Sequence, residues 1–435
     1  MIEAFQNIFK IPELKKRVLF SLAMLAVYRV GCHIPTPGID AQALAHFFKA
    51  AQGTLLGMFD MFSGGALEKL TVFALGIMPY ISSSIIFQLL SVVLPSIEKL
   101  SKEGDAGRKK IIQYTRYGTI VLSVVQGFGI SIGLESMRGP AGELVVPSPG
   151  WGFRLMTVIT LTAGTAFIMW LGEQMSEKGI GNGISLIIFA GIVARIPTAL
   201  MNSFRLIKTG ELSLFSLLLV GAVMFLVIAA VVFIERGQRR IPIHYAKRVV
   251  GLKTVGAQSS HLPLKVNMAG VIPPIFASSI IMFPATIGNF INVPWVQKAS
   301  KSLSPGNLLY NVFYVAFIVF FCYFYTAVTF NPVDVADNVK KQGGYVPGIR
   351  PGKETSDFLD SVLTKLTFAG AIYISAVCVL PSILIGKFNL PFYFGGTALL
   401  IAVGVGMDTL SQIEAHLITR SYEGFMKGVR IKGRK

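Results

Sequence analysis

The side chains that could perform chemistry in this chain are few and scattered. Five histidines, His33, His46, His244, His261 and His416, stand at the edges of apolar runs or in loops, where interfacial packing is their ordinary role. Three cysteines, Cys32, Cys322 and Cys378, lie in apolar segments without metal-like spacing, so neither a disulfide framework nor a metal site is expected. No H-E-x-x-H, G-x-S-x-G or G-x-x-x-x-G-K-[ST] occurs. GIGNG, from Gly179 to Gly183, suits a tight lead-in to a helix better than a phosphate loop. No enzyme chemistry and no cofactor are expected.

Two other sets of residues draw notice by type and spacing. Gln88, Gln126 and Asn267 are polar side chains inside apolar stretches. They suit either hydrogen bonds across helices where two halves of the molecule touch or ordinary helix association. Ile77 and Ile81 are four apart, on one face of a helix, and Ile184 and Ile188 repeat the spacing. Lipid contact or core packing accounts for such pairs, but a narrow apolar constriction also gates a pore by dewetting.

The elements that must position these residues are membrane spans. Of 435 residues, 53% are hydrophobic and 14% charged, against about 25% charged in soluble proteins, so the chain is expected to be a polytopic membrane protein. Ten spans are expected, at 18–34, 71–94, 118–134, 155–172, 184–200, 212–234, 266–287, 308–330, 366–385 and 390–407. The first resembles a secretory signal, but its apolar run continues past Arg29 to Ile34 and no small-residue cleavage site closes it. Ser96 to Arg116 is expected to be a soluble turn. The piece GMFDMFSGGA, interrupted by Asp60, is too short at about 1.5 Å per residue to cross a core of about 30 Å, and should fold back on itself.

Most of the 40 Lys and Arg fall in alternate loops, which places both termini in the cytoplasm. Ten spans divide into two fives, and an odd number per half inverts one half relative to the other. Interrupted spans at matching positions then mark the working site. Pro79 lies in span 2 and Pro273, Pro274 and Pro284 in span 7; Gly179, Gly181 and Gly183 precede span 5, and Gly395 and Gly396 lie in span 10. Spans 2, 5, 7 and 10 should meet at the centre. An ion-coupled transporter would place acidic or histidine side chains near the midplane. Here Glu173 and Asp408 sit near span ends, and Asp60 sits in the short folded-back piece.

The runs MFSGGALEKLTVFALGIMPYISSSII, MWLGEQMSEKGIGNGISLIIFAGIVA, ERGQRRIPIHYAKR, AQSSHLPLKVNMAGVIPPIFASSI and YTAVTFNPVDVADNVKKQGGYVPGIRPG resemble the SecY family, the channel subunits of bacterial protein translocases. The resemblance implies an all-α polytopic membrane protein with ten transmembrane helices in two inverted five-helix halves, residues 1–206 and 207–435, and a short re-entrant plug helix. It implies a channel that passes unfolded secretory polypeptides across the cytoplasmic membrane and releases hydrophobic segments sideways into lipid. By the resemblance, the plug lies at about residues 55–69, with Phe59, Asp60, Met61, Phe62, Ser63, Gly64 and Gly65 in it. A hydrophobic pore ring falls on Ile77, Ile81, Ile184, Ile188, Ile275 and Ile401. Gln88, Gln126 and Asn267 are drawn toward a lateral gate formed by spans 2 and 7, with 3 and 8 beside them.

Loops 235–265 and 331–365 are long for structureless connections, which makes a docking role reasonable. Their basic residues, Arg239, Arg240, Lys247, Arg248, Lys340, Lys341 and Arg350, either enforce topology or meet a partner. The resemblance implies a ribosome or the SecA motor on these loops, SecE and SecG as membrane subunits, and a bacterial cytoplasmic (inner) membrane location. The alternative is a ten-span secondary transporter for a small solute, which would need a polar midplane site where the central spans carry isoleucine. An intramembrane protease would need catalytic residues that the spans lack.

Overall fold

The computed structural model describes residues 11–40, 44, 60, 63–137, 144–210, 213–245, 248–250, 253–255, 259–290, 307–388 and 396–428. In chain order the helices of the first part are α1 (Pro12–Gly31), α2 (Met78–Val93), α3 (Pro95–Lys102), α4 (Asp105–Ser136), α5 (Trp151–Lys178), α6 (Gly183–Val193), α7 (Ile196–Lys208) and α8 (Leu214–Arg236). Strands β1 (Gln238–Tyr245), β2 (Arg248–Val250), β3 (Lys253–Val255) and β4 (Ser259–Lys265) follow. Then come α9 (Ile272–Phe290), α10 (Leu308–Thr329), α11 (Pro332–Lys341), β5 (Gly344–Tyr345), α12 (Lys353–Phe388) and α13 (Gly396–Gly428).

Each expected span falls at least in part on a helix, span 5 on the pair α6 and α7, while 390–395 of span 10, with Gly395, lie outside the described residues; the fold is the all-helical one expected apart from small strands. Six described helices are long and apolar enough to cross a bilayer, or seven if α2 and α3, bent by 99° at their junction, form one span. Several boundaries differ from expectation, and proline explains the main ones. Span 2 does not run helically from Thr71: residues 72–77 are turns and α2 begins at Met78, so Pro79 stands in its first turn rather than breaking its interior. Pro273 and Pro274 likewise stand at the start of α9, leaving Pro284 inside it. A first-turn N–H has no helical partner to lose, and proline's fixed φ suits a helix start. Ser96–Arg116 is not a loop, because α3 and the first turns of α4 occupy it. Span 5 is interrupted at Arg195, with Pro197 opening α7.

Packing joins α4 to α2 and α5, and α5 to α6 and α1. Later in the chain, α10 packs on α9 and α12, α13 on α12 and α8. Among the described residues these groups meet where α9 lies against α2 and α4, and where α13 lies against α6. One apolar cluster runs through both groups and includes Tyr28, Ile77, Ile168, Ile188, Ile275, Phe321 and Ile401.

The two long basic loops fold together. β1 pairs antiparallel with β4 from the same loop and, along its other edge, with β5 from the second loop, giving the order β4-β1-β5. Ile241, Leu264, Ala336, Val346, Leu359, Val362 and Leu363 close a separate small core under this sheet. The second loop is shorter than expected because α12 starts at Lys353, and Glu235 belongs to the end of α8 rather than to the first loop.

Candidate functional site

The six isoleucines share a position in their helices. Ile77 is the residue preceding α2, and its carbonyl accepts the Ile81 N–H at 3.1 Å, the first helical bond of that element. Ile184 and Ile188 lie in the first two turns of α6, Ile275 in the first turn of α9 and Ile401 in the second turn of α13. Ile77, Ile81, Ile188, Ile275 and Ile401 are all buried in the same apolar cluster, and Ile184 packs against it. Four separate helices thus bury their opening isoleucines in, or pack them against, one apolar cluster.

The lead-in to α6 is fastened on several sides. Asn182 caps the helix, its side-chain oxygen accepting N–H bonds from Ile184 at 3.1 Å and Ser185 at 3.3 Å. Such caps satisfy donors the first turn would leave bare. The N–H of Ile180 bonds Ser21 on α1 at 3.0 Å, and the N–H of Gly181 bonds the Gln412 side chain on α13 at 3.0 Å. Gly181 takes φ +84°, so the GIGNG glycines serve a tight turn, as the sequence suggests.

The chain does fold back before α2. Thr36 donates to the Leu70 carbonyl at 2.9 Å, Val72 donates to the Ile34 carbonyl at 3.0 Å, and Pro35 bridges Thr71 antiparallel, so residues 36 and 70 meet. Leu70, buried, is the described non-glycine residue with positive φ, at +36°, a strained conformation that its packing must hold. Within the returning segment, Ser63 Oγ donates to the Asp60 carbonyl at 3.0 Å and accepts from Leu67 N–H at 3.2 Å. Gly64 and Gly65 have φ of +70° and +87°, and a Cβ on Gly64 would lie 2.9 Å from the Cα of Gly191 on α6. Tyr28 on α1 donates its hydroxyl to the Ser63 carbonyl at 3.2 Å. Of the expected plug residues, Asp60, Ser63, Gly64 and Gly65 therefore gather against α1 and α6; Phe59, Met61 and Phe62 lie outside the described residues.

The three polar candidates do not meet one another. Gln88 donates to Ser84 of its own helix at 3.2 Å, and the Gln126 side-chain oxygen is buried without a hydrogen-bond partner among the described residues. Asn267, 4% exposed, donates to Glu235 at the end of α8 at 2.6 Å and exchanges bonds with Gly270, clamping the approach to α9. Of the three, among the described residues, Asn267 alone bonds a separate element, reaching from the turn before α9 to Glu235 at the end of α8, a partner with no local signal in the sequence. Other contacts missed there are Tyr28, Arg29, Glu68 and Arg195 around the returning segment. A charge inside an apolar run, as Arg195 is, signals a buried partner and could have been matched to Asp60.

The SecY family model matches residues 71–410. The protein translocase subunit SecY of Pseudomonas aeruginosa is 52% identical over 427 residues, covering 97% of this chain and 95% of its own length. The chain belongs to the SecY family. The SecY of Escherichia coli is 52% identical over 425 residues and that of Aquifex aeolicus 46% over 428, covering 97% and 98% of this chain and 96% and 100% of their own lengths. Among solved structures, a protein-conducting channel superposes with TM-score 0.67 at 18% identity, covering 95% of this chain and 97% of its own. Canine Sec61, solved in a ribosome–channel complex, superposes at 0.63 and 17% with the same coverage. The transporter alternative finds no support among these relatives.

In this SecY chain the basic candidates sit around the composite sheet. Arg239 and Arg240 on β1, Lys340 and Lys341 at the end of α11, and Arg350 are exposed. Arg350 follows the turn at Gly348, where φ is +81°, and its carbonyl accepts the Thr355 hydroxyl at 2.8 Å, fixing the backbone that presents it. Arg248 belongs to strand β2, and Lys247 lies outside the described residues.

Proposed function

We propose that this chain is the channel subunit of a bacterial protein translocase, a passive conduit for unfolded polypeptides that also releases apolar segments into lipid. The observation that carries this reading is the gathering of six isoleucines, from the starts of four helices, in one apolar cluster beside a returning segment. An extended polypeptide offers varied side chains, and a ring of branched apolar groups closes around any of them without bonding to one. An ion entering the same ring loses hydration and finds no ligand. The segment around Asp60–Gly65 is the plug, and the seam of α9 with α2 and α4 is the lateral gate, with Gln88, Gln126 and Asn267 near its helices. Residues 1–206 and 207–435 act as the two halves. Sideways release is a partition: a leucine at a helix centre favours lipid by about 0.3 to 0.6 kcal/mol and a charge opposes it by about 2.5 to 3.5, so several leucines offset one charge.

The cytoplasmic membrane is the setting, with both termini and the composite sheet on the cytoplasmic side, where the basic loops concentrate. SecE and SecG are the expected membrane subunits, and a ribosome or the SecA motor docks on the sheet through Arg239, Arg240, Lys247, Arg248, Lys340, Lys341 and Arg350. Salt-dependent attachment to ribosomal RNA would reward such charges. The reading is tested by placing a photo-reactive side chain at position 81 or 275 and, as a lipid-facing control, at Phe225, which is 75% exposed. A polypeptide arrested in transit should cross-link to the first two and not to the third; equal labelling of all three would overturn the conduit. Arg350→Glu should lower motor- or ribosome-driven transport at least about tenfold while leaving the amount of protein in the membrane unchanged. A matching loss of abundance would make Arg350 structural instead.

A further inference from the structure

Asp60 is a carboxylate only 3% exposed, in the stretch GMFDMFSGGA, whose other residues are glycine, serine and apolar. One of its oxygens accepts the Glu68 N–H at 2.8 Å, and the other forms an ion pair with the guanidinium of Arg195. The same guanidinium lies 3.9 Å from a carboxylate oxygen of Glu68. Arg195 stands where the helix breaks between α6 and α7, so the break aims its side chain at the returning segment. From the other side Arg29, on α1, donates to the Gly64 carbonyl at 3.1 Å. Two carboxylates and two guanidiniums thus converge where this segment meets α1 and the α6–α7 corner. A buried charge that loses its partner is costly, so these groups favour the docked position of the segment as a set.

We propose that Asp60 and Glu68 form an electrostatic latch on Arg195 that holds the plug in the resting channel, so that opening requires this ion pair to separate. The latch rests on the reading of the segment as a seal. Docked, the charges are paired, with Asp60 dry and Arg195 and Glu68 partly exposed; withdrawn, Asp60 regains water. The Arg195 side chain keeps 31% exposure, which limits the cost of parting and suits a contact that must reopen with each substrate. The competing structural role for Asp60 is closure of its own turn through the Glu68 N–H. Asparagine keeps that acceptor and removes only the charge, so Asp60→Asn isolates the latch.

The test uses the assembled translocase in planar bilayers. Asp60→Asn and Arg195→Gln should each raise the resting open probability at least about tenfold, which corresponds to about 1.4 kcal/mol. Arg195→Lys, which keeps the charge, should leak less than Arg195→Gln. The two neutralised positions lie on different elements, so misfolding of one variant leaves the other to decide. Deletion of Asp60–Gly65 serves as the reference. If the deletion leaks and neither neutral variant does, the latch is overturned and the seal stands. If the deletion does not leak, the seal is wrong and the latch falls with it. Equal leaks from Arg195→Lys and Arg195→Gln would also overturn the charge argument.

Discussion

Ile275 is 8% exposed and Ile401 0%, and both side chains are buried in the apolar cluster. Replacing either with asparagine puts an amide into that apolar packing, which the proposed function reads as the closed pore ring. Burying such a group without a partner costs about 1 to 3 kcal/mol, so the closed state should lose about one to two orders of magnitude in population relative to the open one. Planar-bilayer recordings of Ile275→Asn and Ile401→Asn should show a resting current that the parent lacks, and substrates with defective signal segments should pass more readily. If both variants are as silent as the parent, these residues do not form the ring. At this scale the sequence displays the four-residue spacing of Ile77 with Ile81 and of Ile184 with Ile188, but lipid-facing helices show the same spacing. What sets these isoleucines apart is that each belongs to the opening turns of a helix, a property of where helices start in space. Asp60 and Arg195 were separately visible as charges in apolar runs; their pairing across a long stretch of chain has no local signature.

Helix starts decide much of the architecture at the next scale. Pro79, Pro273 and Pro274 look like interruptions when counted inside a hydrophobic span, yet all three stand in first turns. A proline within an apolar run is compatible with a kink or with a start, and hydropathy does not separate the two because the preceding turn is apolar as well. For α6 the start is set by Asn182. Asn182→Ala removes the acceptor for two N–H groups and should cost about 1 kcal/mol. Thermal unfolding of the detergent-solubilised complex should show a lower midpoint for Asn182→Ala and a midpoint near the parent's for Asn182→Asp, which restores the cap. An unchanged midpoint for the alanine variant would mean that Ser21 and Gln412 hold this turn without the cap. The basic loops carried a second signal that charge counting obscured. In QRRIPIHY, Ile241 and Ile243 are buried and Arg240 and Pro242 exposed, the alternation of a strand with one covered face. Its pairing with β5, from a loop beyond two further helices, was not legible because two residues leave no periodicity to read.

For the whole molecule, the alternation of basic loops predicts an orientation that labelling can check. Cys32, Cys322 and Cys378 are buried, so background reaction with a membrane-impermeant thiol reagent should be low. Gln342 and Ser148 are both exposed. Gln342→Cys should react only from the cytoplasmic side and Ser148→Cys only from the opposite side. Reaction of both from one side would overturn the ten-span arrangement. The composite sheet has a mechanical meaning as well. Because β1 is flanked by β4 from its own loop and β5 from the other, the two loops are joined in one sheet. The sheet is fastened at its base, where Val266 N–H bonds the Gly237 carbonyl at 3.0 Å and Asn267 grips Glu235. α9 leaves from just beyond that joint and lies along α2 and α4. With the seam read as the proposed lateral gate, the sheet would act as a short lever with its fulcrum at Glu235–Asn267, gearing a push on either loop to α9.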